Sequence, residues 1–162
     1  MIHWQWCKFD ALSGRELYAV LQLRCEVFVV EQNCVYPDVD GLDPDCWHLL
    51  GWRAGDGADC GAGGAPQLVA YLRGMGPGVK FEQASLGRVL THASARGGGV
   101  GRALVAQGLA CMREQFPGVP IKIGAQCYLQ AFYERFGFVA CSAAYDEDGI
   151  AHIDMLRTRE AV

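Results

Sequence analysis

No stretch of the 162 residues reaches the eighteen or so apolar positions of a membrane span. The amino terminus, Met1-Ile2-His3-Trp4-Gln5-Trp6, also lacks the basic segment and apolar run of an export signal. A cytoplasmic protein that does not enter a membrane is the expectation. Eight cysteines are present, yet they are scattered, with no C-x-x-C pair and no nearby Cys/His cluster, so no metal site is expected. Several lie in apolar segments, where a free thiol packs as a small hydrophobe in a reducing compartment. There is no excess of positive charge either: the formal net charge is −4, which gives no global field for a polyanion and argues against a nucleic-acid partner. No internal repeat and no dividing linker interrupts the chain, so residues 1–162 are expected to form one domain.

What the chain has is a short apolar strand running through a glycine-rich turn into an amphipathic helix, from Gly87 to Val105. Gly97, Gly98, Gly99 and Gly101 lack a Cβ, so the backbone can turn tightly there and bring successive N–H groups against an anion. The helix that follows directs its positive dipole end to the same point. A Walker loop is excluded, because Gly101 is followed by Arg102-Ala103 rather than Lys-Ser/Thr. A dinucleotide fingerprint is excluded too: the third glycine is missing, and the position of the expected acidic residue falls in the apolar Val119 to Ile123. Arg88, Arg96 and Arg102 bracket the turn with local positive charge.

Hydrophobic spacing gives the organisation. Ile2, Trp4 and Trp6 share one face of an opening strand, Ile2 to Cys7. Ser13 with Glu16 forms a capping box ahead of a helix whose Leu17, Val20, Leu21, Arg24 and Phe28 recur at helical spacing. Leu49 to Arg53 and Leu68 to Arg73 read as antiparallel strands joined by a long, mobile loop, Ala54 to Pro66. A strand at Leu86 to Thr91 precedes a helix from Gly99 to Gln115, whose Val105, Leu109, Met112 and Phe116 form a core stripe. Ile121 to Ala125 reads as a buried strand, and Leu129 to Phe136 as a short helix closing at Gly137. Phe138 to Ala143 and Ile150 to Arg157, around the turn Asp146 to Gly149, complete a mixed sheet. Asp38, Asp40 and Asp43 bring carboxylates close together, but the glycine and the distal glutamate of an EF-hand loop are not at the required offsets. They read either as ordinary turn residues or as an acidic rim that would favour a cationic amine.

Arg96-Gly97-Gly98-Gly99-Val100-Gly101 resembles the [RQ]-x-x-G-x-[GA] acetyl-CoA signature of the GNAT superfamily of N-acetyltransferases, complete at its fixed positions. Tyr133-Glu134-Arg135-Phe136-Gly137-Phe138 resembles that family's Y-x-x-x-G-F segment. Gln126 stands where asparagine is frequent and Leu129 where alanine is usual. The segments Leu17 to Arg24, Val27 to Cys34, Asp38 to Gly41 with His48, and Tyr145 to Ile153 are similar to the ElaA-type branch, in which glutamine at the position of Gln126 is ordinary. The resemblance implies an α/β (α+β) fold with a mixed, mostly antiparallel central sheet flanked by helices. It implies acetyl-CoA as acyl donor and a small-molecule or protein amine as acceptor. Direct attack of the amine on the thioester would require no covalent intermediate.

In that reading the backbone of Val89, Leu90 and Thr91 would hold the pantetheine arm, with the Leu90 N–H available to an oxyanion. Arg96, Gly97, Gly98, Gly99, Val100, Gly101 and Arg102 would hold the pyrophosphate, and Gln126 would contact the cofactor from the facing strand. Tyr133, with a reference pKa near 10, stays protonated at neutral pH and would serve as general acid to the departing thiolate. Glu31 is the leading candidate for a base or amine-binding carboxylate, with Arg24, His48 and His152 on the acceptor side. A nucleophilic Cys127 is weighed and set aside, since direct transfer needs none. The alternative function is a non-catalytic acyl-CoA sensor or protein-interaction module on the same fold. Edge strands in mixed sheets make a homodimer a reasonable expectation.

Overall fold

The structure is a computed structural model and describes residues 1–55 and 64–158. Most of the expected loop between the second and third strands, at 56–63, lies outside the described residues. An eight-stranded sheet runs β1 (Ile2–Lys8), β2 (Trp47–Arg53), β3 (Gln67–Met75), β4 (Ala84–Thr91), β5 (Ile121–Gln126), β8 (Ile150–Arg157) and β6 (Val139–Ala140) across its width, with β7 (Tyr145–Glu147) also paired to β8. The β4–β5 pair is parallel and the others are antiparallel, as the mixed α/β expectation has it.

Strand alternation sorts the core onto two faces. Leu50 and Tyr71 pack with Val20, Leu23 and Val27, whereas their neighbours Leu49 and Leu72 pack with Leu104, Val105, Leu109 and Met112 of α2 (Val100–Gln115). The first helix, α1 (Gly14–Arg24), starts at the expected capping box: Ser13 Oγ accepts from the Glu16 N–H at 3.2 Å, and the Glu16 carboxylate accepts from the Ser13 N–H at 2.7 Å. It then widens into a π-helical turn, Cys25–Glu31. The buried stripe is Val20, Leu23, Arg24 and Val27; of the expected residues Val20 and Arg24 are buried, while Leu17, Leu21 and Phe28 are half-buried.

Two departures at the carboxyl end have local causes. The expected helix over Leu129 to Phe136 is a 3₁₀ turn (Cys127–Leu129) followed by α3 (Gln130–Glu134), ended by Gly137 at φ +81°. The expected strand over Phe138 to Ala143 shrinks to Val139–Ala140, since β8 is shared with β7 through a hairpin whose two central residues, Asp148 and Gly149, both have positive φ.

One irregularity shapes the middle of the sheet. Tyr71 faces Leu90 and Arg73 faces Gly87, so Leu72 alone opposes both Arg88 and Val89, and Arg88 takes φ 52°. That is a β-bulge, which bends and twists its strand. Already after Ser85 β4 leaves β5: the pair is held only at Ala84↔Ile121 and Ser85↔Lys122, while β5 continues along β8 to Gln126↔His152. The sheet therefore opens into a cleft between Leu86–Thr91 and Ile123–Gln126.

Candidate active site

A cavity of about 830 Å³ fills the cleft, lined by Leu86 to Thr91 on one wall and Ile123 to Gln126 on the other. The π-helical turn roofs it through Val27, Phe28 and Glu31, and Arg96, Gly101 and Leu104 close one end. Gly97 and Gly99 adopt φ of +81° and +78°, which L side chains resist, and a Cβ at Gly97, Gly98 or Gly99 would point into open space. The turn is exposed, and its backbone N–H groups are open to an anion. Gly99 caps α2 without a side-chain bond, leaving the first-turn N–H groups of that 16-residue helix available to a ligand.

Tyr133 lies at the cavity wall, in α3, which the Gln126-to-Leu129 turn places directly after β5. Its ring packs edge-on against Phe132 and Phe138, at 5.2 and 5.9 Å between centroids. Its hydroxyl has no hydrogen-bonding partner among the described residues, and burial, assisted by Tyr128, holds its pKa well above that of a free phenol. A buried, protonated O–H facing a cavity donates; it does not accept a proton.

The acetyltransferase (GNAT) domain family matches residues 68–159, and those residues carry β3 to β8, the glycine turn and Tyr133. The chain belongs to the GNAT family. Among this GNAT chain's relatives is the protein ElaA of Escherichia coli K12, 43% identical over 97% of this chain and 97% of that one. Its crystal structure superposes with a TM-score of 0.84 over 97% of this chain and 99% of that one. An acyl-CoA N-acyltransferase from Pseudomonas aeruginosa, also 43% identical, superposes with a TM-score of 0.87 over 98% of this chain and 100% of that one. The similarity to ElaA places the chain in the ElaA-type branch.

Within this GNAT cavity the structure brings together Val89, Leu90, Thr91, Arg96, Gly101, Gln126, Tyr133, Glu31 and His152. Gly97, Gly98, Gly99, Val100 and Arg102 lie on the adjoining turn and the first turn of α2, outside the cavity lining. Arg24 and His48 are elsewhere. Arg24 is fully buried, with Nε on Asp38 and Nη1 on Asp43, both at 2.8 Å, and a third bond to the Asp38 carbonyl at 2.7 Å. His48 is also fully buried, between the Tyr71 hydroxyl at 2.7 Å and the Asp43 carbonyl at 3.0 Å, and burial lowers its pKa. Both are removed from the substrate-binding set, because neither presents an atom to the cavity.

The same ion network corrects the acidic-rim expectation. Asp38, Asp40 and Asp43 are paired with Arg24, Arg73 and Arg88, so three carboxylates are matched by three guanidinium groups. Burial alone would raise Asp40, but hydrogen bonds from Arg73 and the Leu42 N–H, together with the nearby guanidinium charges, hold it far below the usual carboxylate range. These groups fix the approach to β2 and the bulge on β4, where Arg88 reaches Asp38 at 2.7 Å. They leave no free charge to draw in a cation.

Glu31 and Arg96 form a bidentate pair at 2.6 and 2.9 Å, and Arg96 also donates to the Thr91 carbonyl. The Arg96 hydrogen bond lowers the Glu31 pKa, which makes this carboxylate a weaker proton acceptor than expected of a base. With Arg88 turned to Asp38 and Arg96 to Glu31, Arg102 is the one of the three bracketing arginines with no ion pair among the described residues. Three further cavity residues were beyond the sequence reading: Gln32, which accepts from Gln126 at 3.2 Å, Tyr128 near Arg96, and Glu147 beside His152. No motif marks them, since a π-helical turn and a hairpin bring them to the mouth.

Proposed function

We propose that this protein transfers an acetyl group from acetyl-CoA to a primary amine by direct attack. The observation that carries the reading is one cavity walled by a bulged strand and by an unpartnered, protonated Tyr133 hydroxyl, with an open glycine turn at a helix N-terminus adjoining it. The fit is chemical as well as spatial. The free N–H groups at the start of α2, with Arg102, suit a pyrophosphate. β4 is not paired with β5 over Val89 to Thr91, so that the backbone there can pair with the amide-bearing arm of the donor and the Leu90 N–H can face an oxyanion.

The amine nitrogen attacks the thioester carbonyl, the C–S bond breaks, and Tyr133 gives its proton to the departing sulfur. The proton shed by the acylated nitrogen restores the phenol. Arg96 and Glu31 tie the π-helical roof to the phosphate turn and order the mouth. The acceptor is a small molecule or a protein amino group. A cytoplasmic location accords with the absence, among the described residues, of any helix long and apolar enough to cross a membrane.

Calorimetric titration of the purified protein with acetyl-CoA tests this, with NAD and ATP as controls. Saturable binding of acetyl-CoA alone, followed by amine-dependent thiol release, is the expected result. Binding without release for any amine would make the chain an acyl-CoA sensor, and no binding at millimolar acetyl-CoA would defeat both.

A further inference from the structure

Direct transfer leaves one proton unassigned: an alkyl amine with a pKa near 10.4 arrives as an ammonium ion and must lose a proton before it attacks. Glu31 is committed to Arg96. His152 is not committed. Its Nδ1 lies 2.8 Å from the Ile150 carbonyl, and since a carbonyl only accepts, Nδ1 carries the hydrogen. In the neutral ring the lone pair is then on Nε2, and Nε2 faces the Glu147 carboxylate at 3.6 Å, beyond hydrogen-bond reach. The Glu147 carboxylate has no other hydrogen-bond or ion-pair partner among the described residues. Two acceptors thus stand side by side at the cavity wall with no donor between them.

A species with several N–H groups and a positive charge satisfies both. The charged surroundings do not supply one. Tyr145 stacks on the imidazole at 6.0 Å but sends its hydroxyl to Asp154, and Asp154 is also paired with Lys122. Gln126, the register partner of His152 on β5, is bonded to Gln32. Asp148, next to Glu147, offers its carbonyl to the Cys34 thiol.

We propose that His152 and Glu147 form the acceptor's ammonium site, with His152 Nε2 as the base. The proposal rests on the transferase reading above. The ammonium N–H bond breaks, its proton passes to Nε2 to give an imidazolium held by Glu147, and the freed lone pair forms the bond to the thioester carbonyl carbon. The imidazolium then returns its proton to solvent. The site selects alkylammonium acceptors over neutral or anionic ones.

The test is ¹⁵N NMR of the imidazole nitrogens, with His152→Gln to assign them, during titration with n-butylammonium. Tetramethylammonium, a cation without N–H groups, is the control. An Nδ1–H tautomer whose Nε2 signal shifts saturably with n-butylammonium alone, about tenfold more weakly in Glu147→Gln, is expected. An Nε2–H tautomer, or an Nε2 signal indifferent to n-butylammonium, overturns the proposal.

This arm needs neither acetyl-CoA nor turnover, so it decides the site whatever the fate of the transferase reading. Where n-butylamine is acetylated, His152→Gln is expected to lower kcat/KM by about 10²-fold, the size of a general-base contribution. It is also expected to remove the acidic limb of the pH–rate profile while leaving calorimetric acetyl-CoA affinity unchanged. An unaltered rate and profile in His152→Gln would count against the base.

Discussion

Tyr133 and His48 show how burial assigns opposite fates to two titratable side chains. Tyr133 is buried at a cavity wall with its hydroxyl unpartnered, so its proton is available to a ligand. Tyr133→Phe is expected to lower kcat by about 10²-fold or more, the usual scale of a general-acid contribution, with acetyl-CoA affinity by calorimetry unchanged. His48 is buried between two protein partners, so its neutral form is the folded one. Because its folded pKa lies below the ordinary 6.5, the unfolded chain takes up a proton that the folded chain refuses. Its stabilisation is complete above pH 6.5 and is lost as the pH falls from there towards the lowered folded value. Denaturant unfolding across pH 5 to 8 should show that slope in the wild type and not in His48→Gln, which keeps an N–H for the Asp43 carbonyl.

Two elements are joined by a single ion pair at the mouth of the cleft. The π-helical turn offers Glu31 and the glycine turn offers Arg96, each side chain being roughly two-fifths exposed. An exposed pair is worth about 0.2–1 kcal/mol. Glu31→Gln should therefore leave the thermal midpoint nearly unchanged and alter kcat by less than about threefold. A loss near a hundredfold would restore Glu31 as the base. The glycine turn is stricter, because Gly99 sits at φ +78° where α2 begins. Gly99→Ala is expected to cost roughly 1–2 kcal/mol from the left-handed backbone and to weaken acetyl-CoA binding by about tenfold in calorimetry.

Across the whole molecule the cleft exists because a parallel pair was allowed to part. α2 and the β5–α3 connection meet where β4 and β5 diverge, so a ligand bound there bridges both halves of the sheet. A ligand at 100 times its dissociation constant adds about 2.7 kcal/mol to stability, which for a chain of this size raises the melting temperature by about 5–10 °C. Acetyl-CoA should produce that shift by differential scanning fluorimetry, and NAD should not.

The glycine turn, the helix after it, the alternating strands and Tyr133 were all legible in the sequence. Each depends on local backbone freedom or on the period of a single element, which neighbours along the chain determine. The fate of the charged residues was not legible. Whether Arg24 touches a substrate or two aspartates, and whether Glu31 is a base or the partner of Arg96, depends on groups 14, 19 and 65 residues away. The bulge at Arg88 and the π-helical turn at Cys25–Glu31 each interrupt the regular period of their element, and neither has a composition of its own. Local sequence decided which elements form. Tertiary structure decided which side chains they spend on each other and which they leave for a ligand, because burial and charge pairing are set by contacts between segments distant in the chain.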